Sequence, residues 1–188
     1  MEENSNNRET SIRNKFANKN DEFNNFLELR NDIIRESLND IESSEHRLEY
    51  ITEINGVDYI NDSKAITVDL AWYSLESINR PLIWIVGGVD DKSDYSMLKE
   101  IVRDKAKVII CLGKENRKVF KTFMSDVDLI VAAETAEEAV RQSHSLALKG
   151  DTVLLSPACA SYDLFTSYED RGNRFKEAVM RLKKSLKA

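Results

Sequence analysis

The chain has 188 residues, of which 41% are hydrophobic and 32% charged, with a net charge of −6. This is enough for one domain with a full core, and the balance fits a globular chain rather than a disordered or membrane one. The negative charge also argues against partners held by concentrated Lys and Arg, so nucleic acid and anionic membrane are not expected, while a small or neutral partner fits.

The start, MEENSNNRETSIRNKF, is polar throughout. It lacks the apolar segment of a secretory signal, which predicts a cytoplasmic chain whose two cysteines are reduced thiols. Residues 1–22 read as a disordered polar tail, because they offer too little burial to offset chain entropy. From 23 to 44, Phe23, Phe26, Leu27, Ile33, Ile34, Leu38 and Ile41 recur at mostly helical spacing.

Beyond Glu45 short apolar runs alternate with longer amphipathic segments. Strands are predicted at Leu48–Ile54, Val57–Ile60, Leu82–Val86, Val108–Leu112, Leu129–Val131 and Thr152–Leu155. Asn55-Gly56 marks a tight hairpin between the first two, which should be antiparallel. The following helix, strand, helix order predicts an α/β, Rossmann-like, mostly parallel six-stranded sheet with helices on both faces. The first of these helices carries Val68, Ala71, Trp72, Leu75 and Ile78, and the last carries Phe175, Ala178, Val179, Leu182 and Leu186. Thr135 with Glu138 reads as a capping box, and Gly150 as the stop of that helix.

Ligands of open α/β sheets bind at the carboxyl ends of the strands, which directs attention to four loops. Asn61-Asp62-Ser63-Lys64 places a carboxylate, a hydroxyl and an ammonium at a strand-to-helix turn, suited to a sugar hydroxyl and an anion. The structural alternative is that Asp62 or Ser63 caps the helix and Lys64 is solvated. Gly87-Gly88 permits close approach of a ligand, or simply makes a turn. Gly113-Lys114 follows the fourth strand. Ser156 through Tyr168 forms a small-residue loop in which Ser161 and free backbone N–H groups suit a carboxylate, the alternative being a tight turn with Phe165 in the core. Cys159 has no histidine near it in sequence, Cys111 sits in an apolar strand, and His144 reads as a surface or edge residue. No metal-ligand spacing, G-x-G-x-x-G or G-x-x-x-x-G-K-[ST] is present, so any ATP chemistry must take its phosphate loop from elsewhere.

Four blocks in order, EHRLEYITEINGVDYINDSKA, WIVGG, IICLGKEN and LLSPACASYDLFTSYEDRGNRFKEAV, resemble the C-terminal domain of the Mur ligase family, in its D-glutamate-adding branch of peptidoglycan synthesis. The resemblance implies that residues 45–188 are that amino-acid-binding domain and that the preceding helical segment is a remnant of the central-domain boundary. It further implies a reaction in which ATP with Mg2+ activates the carboxylate of UDP-N-acetylmuramoyl-L-alanine, and the amine of D-glutamate displaces phosphate. The missing N-terminal and central domains would then be partners on a separate chain, and this chain alone would not turn over.

By the same resemblance Arg47 and Asp62 would touch the nucleotide, His46 would mark the hinge, and Lys64 would face the reacting centre in a supporting role. Ser161, Tyr162 and Tyr168 would hold the D-glutamate side-chain carboxylate. Two positions depart from the family pattern. Ile66 stands where a threonine is usual, leaving Thr67 as the candidate substitute, and Asp91 stands where a lysine is usual, leaving Lys92 displaced by one. Losing such a charge-assisted bond costs about 1.5 to 3 kcal/mol. The alternative function is therefore a degenerate, non-catalytic binding or regulatory module derived from that domain.

Overall fold

The computed structural model describes residues 25–26, 28–30, 33, 44–87, 93–160 and 163–187. The chain divides into two units, residues 1–41 and 42–188. In the first, the described residues 25–26, 28–30 and 33 are helical, as their spacing predicts; the expected tail at 1–22 lies outside the described residues.

The second unit is a six-stranded sheet in the order β1-β2-β6-β3-β4-β5. Its strands are β1 Glu49–Ile54, β2 Val57–Asn61, β3 Leu82–Val86, β4 Ala106–Leu112, β5 Leu129–Ala133 and β6 Thr152–Leu155. β1 and β2 are antiparallel, and every other pairing is parallel. The helices are α1 Val68–Ser77, α2 Lys99–Lys105, α3 Arg117–Phe123, α4 Ala136–Leu146 and α5 Tyr168–Ser185, with a 3-10 turn at Tyr95–Leu98.

The hairpin turns as predicted, because Asn55 (φ 54°) and Gly56 (φ 81°) supply the two positive φ values that a type I′ turn requires. β1 begins one residue later than the apolar run suggests, since Leu48 is itself at φ 43°.

The run LIWIV of β3 is buried on both sides and alternates between two layers. Ile83 and Ile85 join Ala139 and Val140 of α4 and Phe175, Ala178 and Val179 of α5 in one core cluster. Trp84 turns to the other face, edge-on to Phe123 of α3 with ring centroids 5.6 Å apart, and Tyr95 meets the same ring at 6.3 Å. The two helical layers expected from the sequence are therefore present.

Three helix ends differ in detail from the sequence reading. Ile78 is not helical but caps α1, whose last carbonyls at Leu75, Glu76 and Ile78 accept from Lys105 Nζ at 3.2, 2.6 and 2.8 Å. At α4, Thr135 Oγ1 accepts from the Glu138 N–H at 3.1 Å, but the Glu138 carboxylate reaches back one residue further, to the Glu134 N–H at 2.9 Å. Gly150 does not stop α4, which ends at an extended Ala147. Its φ of 97° instead turns the chain so that its N–H donates to Gly56 O at 2.8 Å, while Asp151 holds the same turn through the Leu148 N–H.

Candidate functional site

The parallel strands β2, β6, β3, β4 and β5 all end on one edge, and the loops that leave them are stitched together there. The Asp62 N–H donates to Leu155 O, Ser156 N–H to Ile85 O, Gly87 N–H to Pro157 O and Gly113 N–H to Ala133 O, at 2.8 to 3.2 Å. Each loop thus extends the ladder of the neighbouring strand. Gly87 needs its freedom, having φ 118° and the Leu112 carbonyl 3.2 Å from where a Cβ would stand.

At the centre lies Asp62, 0% exposed. Oδ1 accepts from Arg47 Nη1 at 2.8 Å and the Leu48 N–H at 3.1 Å, and Oδ2 accepts from Ser156 Oγ at 2.8 Å. Burial pushes its carboxyl above the ordinary value, against the pull of Arg47 and the hydroxyl donors. Arg47, 4% exposed, also donates to Ser74 Oγ at 2.9 Å and lies over the Tyr73 ring, while its buried Nη2 has no hydrogen-bond partner among the described residues. Asp62 and Arg47 therefore brace each other, the hairpin, α1 and the loop after β6.

A second node joins the same loops. Arg171, 1% exposed on α5, donates from Nε to Ser63 Oγ at 2.9 Å, from Nη2 to Ser63 O at 2.9 Å and from Nη1 to Cys159 O at 3.4 Å. Ser63 Oγ in turn donates to Tyr168 O at 2.8 Å. Burial lowers the Arg171 pKa to about 10, which leaves it cationic at neutral pH. Among the described residues its hydrogen-bond acceptors are neutral oxygens, with the Asp163 and Asp62 carboxylates acting on its charge from further off, between the 61–64 loop and the 156–160 loop.

Of the residues singled out from sequence, His46, Arg47, Asp62 and Tyr168 come together here, and Tyr168 meets the His46 ring edge-on at 6.2 Å. Lys64 is exposed, its N–H donating to His46 O at 3.0 Å. Neither Asp62 nor Ser63 caps α1. Thr67 does so, accepting the Leu70 N–H at 3.3 Å. Thr67→Ala is accordingly expected to cost about 1 kcal/mol in urea unfolding, the ordinary value of a lost N-cap. An unchanged midpoint would show that the hydroxyl is free for other work. Ile66 is 43% exposed beside it. Gly88, Asp91, Lys92, Ser161 and Tyr162 lie outside the described residues.

Cys111 is core, its thiol pushed up to about 12 by burial, and Cys159 is buried. His144 is half-buried, with Nδ1 3.4 Å from the Tyr59 hydroxyl. Sequence reasoning passed over Ser74 and gave no individual role to Arg171, or to Asn61 and Ser156 within the loops it singled out. For Arg171 a signal existed, because it heads the apolar stripe Phe175, Ala178, Val179 at helical spacing, where a charge must be buried. Among the described residues no three His, Cys, Asp or Glu side chains gather to hold a metal, and no helix is long and apolar enough to cross a membrane.

Comparison with known proteins places this arrangement. Residues 46–159 match the family model described as Mur ligase, glutamate ligase domain. A UDP-N-acetylmuramoylalanine--D-glutamate ligase of Christiangramia forsetii is 50% identical over 156 residues, covering 83% of this chain and 35% of that protein. The protein of the same name from Cytophaga hutchinsonii is 49% identical over 146 residues, 78% of this chain and 32% of that protein. The chain thus spans about a third of the length of these relatives. Among solved structures, the MurF ligase from Thermotoga maritima in complex with ADP aligns with a TM-score of 0.52 at 14% identity, over 78% of this chain and 33% of that one. UDP-N-acetylmuramate-alanine ligase MurC from the same organism aligns at 0.51 and 14%, over 80% and 33%. These two likenesses establish the fold, and the sequence matches establish the lineage: the chain belongs to the Mur ligase family, and residues 46–159 are its glutamate ligase domain.

Proposed function

We propose that this chain is the C-terminal, amino-acid-binding part of an ATP-dependent ligase that joins D-glutamate to UDP-N-acetylmuramoyl-L-alanine in peptidoglycan synthesis. The observation that carries the reading is identity of 50% over 156 residues to a protein bearing that name, together with convergence of the matched loops on one edge of the sheet. Residues 45–188 would be the domain proper and 23–44 the remnant of the boundary with a central domain. The remaining two thirds of such an enzyme, on another chain or in a longer form of this one, would supply the phosphate loop.

In that enzyme ATP would supply the phosphoryl group that activates the carboxylate of UDP-N-acetylmuramoyl-L-alanine, leaving as ADP, and Mg2+ would supply countercharge. Arg47 is the residue here that suits the nucleotide, since its buried Nη2 retains an unused donor. Asp62 would reach a ribose hydroxyl only by exchanging one of its internal donors. No set of metal ligands gathers among the described residues, so no step is assigned to a metal held here. Lys64, exposed on the loop that Ser63 and His46 pin, would present its ammonium to the reacting centre. Ser161, Tyr162 and the backbone at Tyr168 would take the D-glutamate carboxylate, with Thr67 and Lys92 as further donors. The Arg171 charge behind the loop would favour that anion.

The test is reconstitution with the N-terminal two thirds of a relative, following phosphate release that depends on both UDP-N-acetylmuramoyl-L-alanine and D-glutamate. Dependent release is expected, and Lys64→Met should lower kcat/KM by about tenfold to a hundredfold, the worth of a charge-assisted contact. The degenerate-module reading is favoured by Ile66 in place of threonine. It predicts no release and no D-glutamate binding, even after Ile66→Thr and Asp91→Lys.

A further inference from the structure

Asn61 ends β2, 0% exposed, with both ends of its side-chain amide engaged. Nδ2 lies 2.8 Å from His46 Nδ1 and donates to Glu49 Oε2 at 2.9 Å, while Oδ1 accepts from the Ser63 N–H at 3.2 Å. Its orientation follows from the last two contacts alone. Turned over, the amide would set oxygen against the Glu49 carboxylate and NH2 against an N–H. Nδ2 therefore faces His46 as a donor, and the imidazole nitrogen that receives it must be the unprotonated one.

The His46 ring has little room to answer otherwise. Its backbone is at φ 64°, and a Cβ on Gly172 of α5 would overlap the ring at Nδ1. Glu49 Oε2 accepts the His46 N–H at 3.0 Å, and His46 O accepts the Lys64 N–H at 3.0 Å. The His46 backbone thus links the turn before β1 to the loop that carries Lys64, while its imidazole rests on Asn61.

We propose that Asn61 is a positioning residue for Lys64: it fixes His46 as the neutral Nε2–H tautomer and so holds the His46 carbonyl where it receives the Lys64 backbone. The importance of Lys64 rests on the function proposed above, whereas the tautomer and the hydrogen bond do not.

Charges face the imidazole from each side. Glu45 stands on its own turn with Oε1 3.9 Å from Nε2, Glu49 on β1, and Lys176, Glu169 and the Tyr168 phenol on α5. Burial, then Lys176, lowers the His46 pKa against the pull of the carboxylates. The folded value lies below the unfolded one, so this contribution to stability is complete above about 6.5 and is lost as pH falls through the folded value. Protonation would set an Nδ1–H against the Asn61 NH2 and open the link.

The chain has two histidines, so long-range 1H–15N imidazole spectra of the whole chain resolve both, with His144→Gln for assignment. At pH 7.5 we expect His46 with an acceptor-type Nδ1 and a protonated Nε2. Asn61→Asp, which offers an acceptor in place of the donor, should raise the His46 titration by about one unit or more. Asn61→Leu should speed exchange of the Lys64 amide about tenfold or more. An Nδ1–H tautomer in the unsubstituted chain, an unmoved titration in Asn61→Asp, or an unchanged Lys64 exchange rate in folded Asn61→Leu would each overturn the proposal. If Asn61→Leu does not fold, the first two measurements decide. None of the three involves ligation, so their failure leaves the proposed function untouched, and failed reconstitution leaves the tautomer untouched.

Discussion

Arg47→Met is expected to destabilise the folded domain by about 3 to 5 kcal/mol at pH 7, because it removes one partner of a buried ion pair and strands the other. Asp62 is wholly buried and would be left with neutral donors alone, the Leu48 N–H and the Ser156 and Ser74 hydroxyls, for a full negative charge. The carboxyl would then take up a proton. Burial already raises its pKa, and losing the Arg47 charge raises it further. A carboxyl whose folded pKa exceeds its unfolded value contributes stability below the unfolded value and loses it as pH rises through the folded one. The cost of Arg47→Met relative to the unsubstituted chain should therefore be largest at neutral pH and shrink towards pH 4. Adding Asp62→Asn removes the stranded charge and should recover part of the loss, giving a favourable coupling in a double-mutant cycle. Urea unfolding of the three variants at pH 7 and pH 5 measures this. A double variant no more stable than Arg47→Met would mean that the pair is not what stabilises the turn.

Trp84→Ala should cost a similar 3 to 5 kcal/mol, by a different route. The indole is fully buried in β3, packs edge-on against Phe123, and donates from Nε1 to Ser156 O at 2.7 Å. Truncation opens a cavity between the sheet and α3 and also frees the loop whose Ser156 hydroxyl holds Asp62. Trp84→Phe separates the two effects. It keeps most of the packing but deletes the donor, at about 1 to 3 kcal/mol. Trp72 remains as the fluorescent probe of unfolding. A Trp84→Phe variant as stable as the parent would show that the hydrogen bond to Ser156 adds nothing.

Much of the fold was legible in the residues. Six apolar runs became six strands within a few residues at each end, and the Asn55-Gly56 pair marked the hairpin, since only small or amide side chains accept two positive φ values easily. Helix ends were read less well. Gly150 looked like a helix stop, yet it turns a loop closed by its neighbour Asp151 on Leu148 and held from outside by Gly56, a contact with no local signature. The alternative reading of Asp62 as a helix cap failed for a related reason. Thr67 is closer to α1 and takes that position, while Asp62 is claimed by Arg47 and Ser156.

The site divides along the same line. Single-residue chemistry pointed to Asp62 and Lys64, because a charge at the end of an apolar run is visible in one dimension, and the family blocks pointed to His46, Arg47 and Tyr168. Nothing local shows that Asn61 grips His46, that Gly172 walls the imidazole, or that Arg171 ties Ser63 to Cys159. Asn61 meets His46 across the β1–β2 hairpin, whereas Gly172 and Arg171 reach them because β6, the last strand, inserts between β2 and β3 and carries its loop and α5 onto the edge where β2 ends. By itself the sequence determined the elements, their buried faces and the lineage, since propensity, periodicity and motif order are local properties. Which loops share an edge, and hence which polar groups satisfy one another there, was decided by the order of the strands, and a hydrophobic period records a face but not a neighbour.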